Sequence, residues 1–189
     1  MLPMPSSESA LSAGMPVLSG PHLRCRAFRD EDVAVVREVA DDPLIPLITT
    51  VPTDSEGGAA LAYVRRQQAR VTEGVGYSFA IADATDDRAL GQIGLWLRGL
   101  EHGRANIGYW VAPSARRRGV ATEALGVLSA WGLSLPGVAR VELYVEPWNV
   151  GSWKAAEAAG YQREGLLRSW QLVGGQRRDM FMYSRINAS

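Results

Sequence analysis

Residues 107–125 combine residue types and a spacing that suit the binding of a phosphate group. The segment alternates like a strand up to Val111, continues through three consecutive arginines to Gly119, and then follows helical spacing. Free backbone N–H groups at the start of a helix, with the positive end of the helix dipole behind them, bind phosphate well. The small residues Gly119 and Ala121 would let a diphosphate approach this backbone closely. We therefore predict an anion-binding loop, with a solvated run of charges before a helix as the alternative.

The glycine pattern of this loop argues against the common nucleotide ligands. It is not the dinucleotide-binding fingerprint, and the chain contains no Gly-Lys-Ser or Gly-Lys-Thr of a nucleotide P-loop. The strand before the loop is also not part of a βαβ repeat. NAD and ATP are therefore poor ligands for it.

Composition and charge restrict the class of protein further. The 189 residues are 47% hydrophobic and 21% charged, as in ordinary globular domains, so wholesale disorder is excluded. Lys and Arg number 20 and Asp and Glu 20, so the chain lacks the basic excess of a protein that binds nucleic acid through its phosphates. No apolar run approaches the roughly 18 residues that a membrane span needs. We predict no nucleic-acid partner and no membrane association.

Two features indicate where the protein is located. Its single cysteine, Cys25, excludes an internal disulfide and is consistent with a reducing compartment. Residues 1–20 contain no Lys or Arg and so lack the basic start of a secretory signal. We predict a cytoplasmic protein, either a monomer or a homodimer.

The patterning along the chain indicates one domain that follows a short tail. Residues 1–20 are rich in Ser and Pro and are predicted to be a mobile tail. Beyond them, alternation and helical spacing predict the order strand, helices, three antiparallel strands, helix, strand, helix and a final hairpin around Gly174 and Gly175. Residues 21–189 are therefore predicted to form a single domain.

The loop lies within a set of motifs that resembles a known family. Arg116-x-x-Gly119-x-Ala121, between a strand and a helix, is similar to the acetyl-CoA pyrophosphate motif of the GNAT superfamily of N-acetyltransferases. The surrounding sequence resembles the Rim-type branch, which acetylates ribosomal-protein N-termini, at Gly108-Tyr-Trp-Val-x-Pro113, Val145-x-Pro-x-Asn149-x-x-Ser152, Ala159-Gly160-Tyr161 and Glu164-Gly165. The resemblance covers about residues 23–186. It implies an α/β fold with a mixed, mostly antiparallel sheet of about seven strands, helices on both faces and a splayed central strand pair.

The resemblance also implies a role for each matched position. The backbone of residues 117–122 would hold the pyrophosphate, and Trp110 and Val111 would pair with the pantetheine amides, the Val111 N–H facing the thioester oxygen. Asn149 would contact the cofactor arm, and the Ser152 hydroxyl would reach the departing sulfur. The residues implied to bind acetyl-CoA are Trp110, Val111, Arg116, Arg117, Arg118, Gly119, Val120, Ala121, Thr122, Asn149 and Ser152. Ser152, Val111 and Asn149 are the implied catalytic residues, and no metal is expected. Helix capping is the alternative for Asn149 and Ser152.

Acetyl transfer to an amine requires only a few further groups from the protein: help in deprotonating the amine, a donor to the oxyanion and a proton for the thiolate. An α-ammonium has a pKa of about 7.7–8.0 and an aliphatic ammonium one of about 10.4, so an α-amine needs less help from a base. A backbone N–H that faces the developing oxyanion lowers the barrier by about 3 kcal/mol. The leaving thiolate benefits from a proton donor, and a hydroxyl can serve.

This chain differs from the family pattern at the position expected for the general base. In Rim-type relatives an acid can stand on the strand after Glu164-Gly165, but this chain has Gln171 there. The possible substitutes are Glu101, Glu142, Glu146 and Asp179, each of which is more simply a solvated or structurally paired carboxylate. Bulk water would also suffice as the base for an α-amine.

The sequence thus predicts an N-acetyltransferase that moves an acetyl group from acetyl-CoA directly to a primary amine. The preferred acceptor is the α-amine of a protein or peptide N-terminus, because of the Rim-type motifs. The alternatives are a small amine (amino acid, polyamine or antibiotic) and a non-catalytic acyl-CoA-binding module, which only Gln171 favours. Trp96 and Trp170 are candidates for lining an acceptor cleft, whereas Arg65, Arg66 and Arg70 are predicted to form an exposed helix face.

Overall fold

A mixed sheet forms the centre of the computed structural model, which describes residues 14–54 and 58–187. In these ranges it has eight strands in the order β1-β2-β3-β4-β5-β6-β8-β7, and only β5 and β6 run parallel. The strands are β1 (Leu18–Ser19), β2 (Leu23–Arg26), β3 (Gly76–Asp83), β4 (Ala89–Gly99), β5 (Arg104–Val111), β6 (Arg140–Val145), β7 (Gln162–Val173) and β8 (Gln176–Ile186). The predicted α/β fold with a mostly antiparallel sheet is confirmed, with eight strands in place of about seven.

Helices cover both faces of the sheet, as predicted. They are α1 (Val33–Ala40), α2 (Ile45–Ile48), α3 (Ala59–Ala69), α4 (Val120–Ser134) and α5 (Val150–Ala158). Side chains alternate along each strand. Phe79 therefore packs edge-on against Trp131 of α4, whereas its neighbour Ala80 belongs to a second core with α1 and α3. None of the described helices is long and apolar enough to cross a membrane.

The sheet begins before the boundary that the sequence predicted at residue 21. Leu18 and Ser19 pair antiparallel with Cys25 and Arg24, and Leu18 packs against the main core. This packing holds the end of the predicted tail in the sheet. The rest of that tail, residues 1–13, lies outside the described residues.

The central strands β5 and β6 separate soon after they meet. They are paired only where Arg104, Ala105 and Asn106 face residues 140–142. Beyond this point β5 stays paired with β4 as far as Val111, and β6 stays paired with β8 as far as Val145. The predicted splayed pair is therefore confirmed. It leaves a gap in the sheet whose edges carry backbone groups without strand partners.

Candidate active site

A cavity of about 930 Å³ opens where β5 and β6 diverge. Its walls come from α2, α3, β4, β5, the loop after β5, the start of α4, β6, α5 and the β7–β8 hairpin. The hairpin closes one side, because a Cβ atom added to Gly174 would lie only 2.7 Å from Cδ1 of Leu47 in α2. The cavity includes residues of both sheet faces. A long ligand could therefore thread between the strands.

The structure brings together all of the predicted site residues except one. The residues that line the cavity are Trp110, Val111, Arg116, Arg117, Gly119, Val120, Ala121, Thr122, Asn149 and Ser152. Arg118 is not in the lining, and its guanidinium instead lies 3.6 Å from the carboxylate of Asp83. The prediction that Arg118 binds the cofactor therefore has no support from its position.

The start of α4 has the geometry of an anion site. Gly119 is the N-cap residue, with φ at +77°, and no side chain among the described residues caps the first N–H groups of the helix. A Cβ atom on Gly119 would meet no atom of the described residues within 4 Å, which leaves open space in front of the helix in that part of the structure. Unsatisfied N–H groups and the helix dipole make such a position favourable for a phosphate.

The two arginines of the loop that line the cavity differ in their partners. Arg116 donates to Asp42 at 2.6 Å and to the Val111 carbonyl at 3.1 Å, which fixes the loop against the segment before α2. Burial alone would raise the pKa of Asp42, but hydrogen bonds from the Ile45 and Leu44 amides and from Arg116 outweigh it and lower that pKa. Arg117 has no carboxylate partner among the described residues, so its charge is available to a ligand.

The backbone of β5 presents alternate residues to the gap. Ala112 N–H donates to the Leu90 carbonyl of the β4 side at 2.9 Å, so the Val111 backbone points away from β4 and into the gap. The same alternation turns the Tyr109 backbone to the gap and the Trp110 backbone to β4. The Trp110 side chain is buried and donates to Tyr63 Oη at 3.1 Å. The predicted pairing of Trp110 with pantetheine is therefore corrected: Tyr109 and Val111 hold the suitable positions.

Two hydroxyl groups meet on the α4–α5 side of the gap. Ser152 Oγ lies 2.7 Å from Tyr109 Oη, and both residues line the cavity. Burial raises the pKa of Tyr109 despite the hydrogen bond with Ser152, so this hydroxyl keeps its proton well into alkaline solution. Asn149 Oδ1 accepts from Ser152 N–H at 3.2 Å, which confirms Asn149 as the N-cap of α5. The alternative of capping by the Ser152 side chain is not supported, because its hydroxyl contacts Tyr109.

Tyr109 is the functional candidate that the sequence did not single out. Strand alternation places Tyr109 on the same face of β5 as Ile107. Nothing in the sequence indicates that Tyr109 contacts Ser152, which follows 43 residues later. The pairing exists because α5 packs across the end of the gap.

One of the four predicted carboxylates reaches the cavity. Glu146 follows the end of β6 and accepts from Trp148 Nε1 at 2.7 Å, with Arg178 Nε at 3.8 Å from the same oxygen. It lines the cavity on the side of the sheet opposite Tyr109, because residues 143 and 145 belong to the α4–α5 core. Its other oxygen has no hydrogen-bond partner among the described residues.

The remaining candidate bases lie elsewhere. Glu142 is held by Arg140 at 2.8 Å and by the Tyr144 hydroxyl, Glu101 is exposed beside His102, and Asp179 accepts from Ser169 N–H. None of these carboxylates lines the cavity. Trp96 and Gln171 line it, whereas Trp170 does not: it is half exposed and packs on Tyr144. No metal-binding cluster of His, Cys, Asp and Glu occurs within the described ranges.

Comparison with known proteins agrees with this geometry. Residues 22–162 match the family described as the acetyltransferase (GNAT) domain. The chain is 28% identical over 170 residues to the uncharacterized N-acetyltransferase p20 of Bacillus licheniformis, which covers 90% of this chain and 96% of the relative.

Solved structures share the fold over nearly the whole chain. RimJ of Mycobacterium smegmatis, in complex with CoA-disulfide, is 25% identical with a TM-score of 0.72, over 91% of this chain and 86% of that one. RimL, the ribosomal L7/L12 alpha-N-protein acetyltransferase in complex with coenzyme A, is 18% identical with a TM-score of 0.75, over 90% and 98%.

Proposed function

Because the chain belongs to the GNAT acetyltransferase family and uses acetyl-CoA as its acetyl donor, we propose that its acceptor is the α-amine at the N-terminus of a protein or peptide. The observation that carries this proposal is the charge of the cavity wall. Its cations are Arg70, Arg116, Arg117 and Lys154, and Glu146 is its one carboxylate among the described residues. A polyamine or an aminoglycoside would need several carboxylates. An α-amine, which deprotonates near neutral pH, needs only one weak base or water.

The cavity suits acetyl-CoA in shape and in chemistry. Open space in front of Gly119, the uncapped start of α4 and the free charge of Arg117 suit a diphosphate. The unpaired edge of β5 suits the amides of the pantetheine arm, as an added strand would. Bound there, acetyl-CoA supplies a thioester whose carbonyl carbon accepts the amine nitrogen and whose sulfur departs as a thiol. RimL, named as an alpha-N-protein acetyltransferase, has the same fold and supports the choice of acceptor.

The two proton transfers of the reaction take place on opposite sides of the gap. Ser152, hydrogen-bonded to Tyr109, donates a proton toward the departing sulfur. The Val111 N–H, which points into the gap, stabilises negative charge on the carbonyl oxygen. Glu146, on the opposite face, receives the proton that the acceptor ammonium loses. Transfer is direct, and Cys25 takes no part because it is fully buried in the core and its thiol pKa is raised to about 12.

We expect the pH profile of kcat/KM to identify the type of amine. With an α-amine acceptor the rate should rise up to about pH 8, where the amine becomes neutral. The rate should then stay level to about pH 10. Burial raises the pKa of Tyr109 above its ordinary value of 10.0, so the hydroxyl pair of Tyr109 and Ser152 keeps the proton that it donates to the sulfur. Initial rates of thiol release between pH 6 and 10.5 measure this profile. A rate that keeps rising toward pH 10 would indicate a side-chain amine, with its pKa of about 10.4.

The substitution Glu146→Gln should lower kcat/KM at pH 7 about 30-fold, since a positioned base typically contributes about 10²–10⁴ and water replaces part of its effect. The loss should shrink at pH 9, where the α-amine has already lost its proton. Asp179→Asn removes a carboxylate outside the cavity and is the matched control, with no change expected. A loss that is the same at both pH values would assign Glu146 a structural role.

The acceptor class is tested by comparing two peptides of the same sequence that contain one lysine. One has a free N-terminus and the other an acetylated N-terminus, so that only the lysine amine remains. Rapid thiol release with the first peptide alone is the expected result. Equal rates with both would overturn the α-amine proposal in favour of a side-chain amine.

We also propose a cytoplasmic location, where the acetyl donor and nascent N-termini are available.

A further inference from the structure

Arg70 is a cation in the cavity wall that the acetyl donor does not need. It immediately follows α3, is half-buried, and lines the cavity on the α1–α3 side of the sheet. No carboxylate is paired with it among the described residues, and its Nε atom is buried without an acceptor. The predicted exposed helix face of Arg65, Arg66 and Arg70 is therefore wrong at Arg70. A half-buried guanidinium without a carboxylate partner is unfavourable unless a ligand supplies the opposite charge.

The guanidinium of Arg70 is held over the ring of Trp96, 5.2 Å from the ring centroid. Two glycines in facing positions on β4 and β5 make room for this indole. A Cβ atom on Gly94 would lie 2.6 Å from Trp96 Cζ2, and one on Gly108 would lie 3.6 Å from Trp96 Nε1. The indole therefore lies across the Gly94–Gly108 pair, two residues beyond Asn106, where β5 and β6 part. Arg70 and Trp96 thus stand beside the beginning of the gap, on the side of Glu146.

The other cations of the wall are placed elsewhere. Arg116 and Arg117 belong to the loop that leaves β5 after Val111, and Lys154 belongs to α5. Three residues of β5, or about 10 Å of strand, separate Gly108 from Val111. The loop cations are near the start of α4, where a diphosphate fits. Arg70 approaches the gap from the opposite face, from which an acceptor would reach the thioester.

We propose that Arg70 and Trp96 form a subsite for a carboxylate of the acceptor, so that the preferred acceptor carries a carboxylate close to its α-amine. The inference rests on the proposed acetyl transfer to an α-amine. A guanidinium on an aromatic face keeps its in-plane N–H donors free for a carboxylate. The indole N–H of Trp96 also has no acceptor among the described residues and can add a donor. The carboxylate has two possible sources: the α-carboxylate of a free amino acid, or an acidic side chain at the second position of a peptide.

Matched acceptors test the subsite in the intact enzyme. The amino acid arm compares alanine with alaninamide, each rate being expressed per neutral amine because the α-carboxylate raises the pKa of the alanine amine, and the peptide arm compares Ser-Asp-Ala-Ala-amide with Ser-Asn-Ala-Ala-amide. We expect the wild type to prefer the anionic member of at least one pair about tenfold or more in kcat/KM, and the arm that shows the preference identifies the source. Arg70→Gln should remove the preference, and Arg70→Lys should restore part of it. Arg65→Gln, on the exposed side of the preceding helix α3, should leave it intact. Equal rates within both pairs would overturn the subsite while leaving acetyl transfer standing.

A binding measurement keeps the inference testable if turnover is absent. The N-acetylated forms of the same compounds are titrated calorimetrically into the protein saturated with CoA. We expect at least one anionic product to bind about tenfold more tightly than its neutral partner, and Arg70→Gln to abolish that difference. Failure of every anionic product to bind, or equal binding of each pair, would contradict the subsite. Preferential binding without thiol release from any amine would instead contradict the proposed transfer.

Discussion

Replacing Gly119 with glutamate should reduce the affinity for acetyl-CoA about a thousandfold or more. A carboxylate about 4 Å from a diphosphate charge, at an effective dielectric constant of 20, opposes binding by about 4 kcal/mol. The new side chain would also occupy the space in front of α4 that is open in the structure. Because φ at this position is +77°, an L side chain adds backbone strain of about 1–2 kcal/mol. Calorimetric titration of the variant with acetyl-CoA measures the loss.

Gly160→Glu provides the matched control for this substitution. Gly160 also has a positive φ, +84°, and a Cβ atom there would meet nothing within 4 Å in the part of the chain that the structure describes. It follows α5 and does not line the cavity. The control therefore has the same added charge and similar strain, and it should bind acetyl-CoA like the wild type. Normal binding by Gly119→Glu would show that the diphosphate does not lie at the start of α4.

The second large effect is expected at the hydroxyl pair. Ser152→Ala should lower kcat about a hundredfold with little change in the affinity for acetyl-CoA, since a general acid typically contributes about 10²–10⁴. Tyr109→Phe should lower kcat by a similar factor, because the two hydroxyls are 2.7 Å apart and act as one unit. The double variant should therefore be no slower than either single variant by more than about threefold. Stopped assays of thiol release at saturating acetyl-CoA give the four values of kcat.

A second buried hydroxyl pair in the same core serves as the control. Ser129 Oγ lies 2.6 Å from Tyr161 Oη, and neither residue lines the cavity. Ser129→Ala and Tyr161→Phe should lower the free energy of unfolding by about 1–2 kcal/mol without changing kcat. Unchanged turnover in both Ser152→Ala and Tyr109→Phe would remove the pair from the mechanism. If the double variant lost kcat by the product of the two single-variant factors, the two hydroxyls would act independently.

The parts of the site that depend on backbone chemistry were predictable from the sequence. An anion site at a helix start needs a residue that tolerates a positive φ and leaves space, and only Gly119 in this segment meets both conditions. Strand alternation likewise made the course of β5 predictable up to Val111. The family resemblance then added the splay between β5 and β6, which no local pattern reveals.

The parts that depend on contacts between distant segments were not predictable. Tyr109 gains its role from Ser152, which belongs to a helix that packs across the gap. Arg70 follows two exposed arginines on α3, and only the position of Trp96 distinguishes it from them. The sequence does not show which backbone edge of β5 faces the gap, so it does not distinguish Trp110 from Tyr109 as the partner of the pantetheine. The elements β1 and α2 are two and four residues long, too short for a hydrophobic period to be visible.

A crystal structure of the protein with CoA and an N-acetylated peptide tests the proposed mechanism most directly. We expect the diphosphate on the backbone of residues 117–122 and the pantetheine arm between β5 and β6, against the N–H groups of Tyr109 and Val111. The sulfur should lie beside Ser152, and the acetylated N-terminus should lie on the opposite face, between Glu146 and Trp96. CoA bound outside the gap, or a peptide on the Ser152 side of the sheet, would contradict this mechanism.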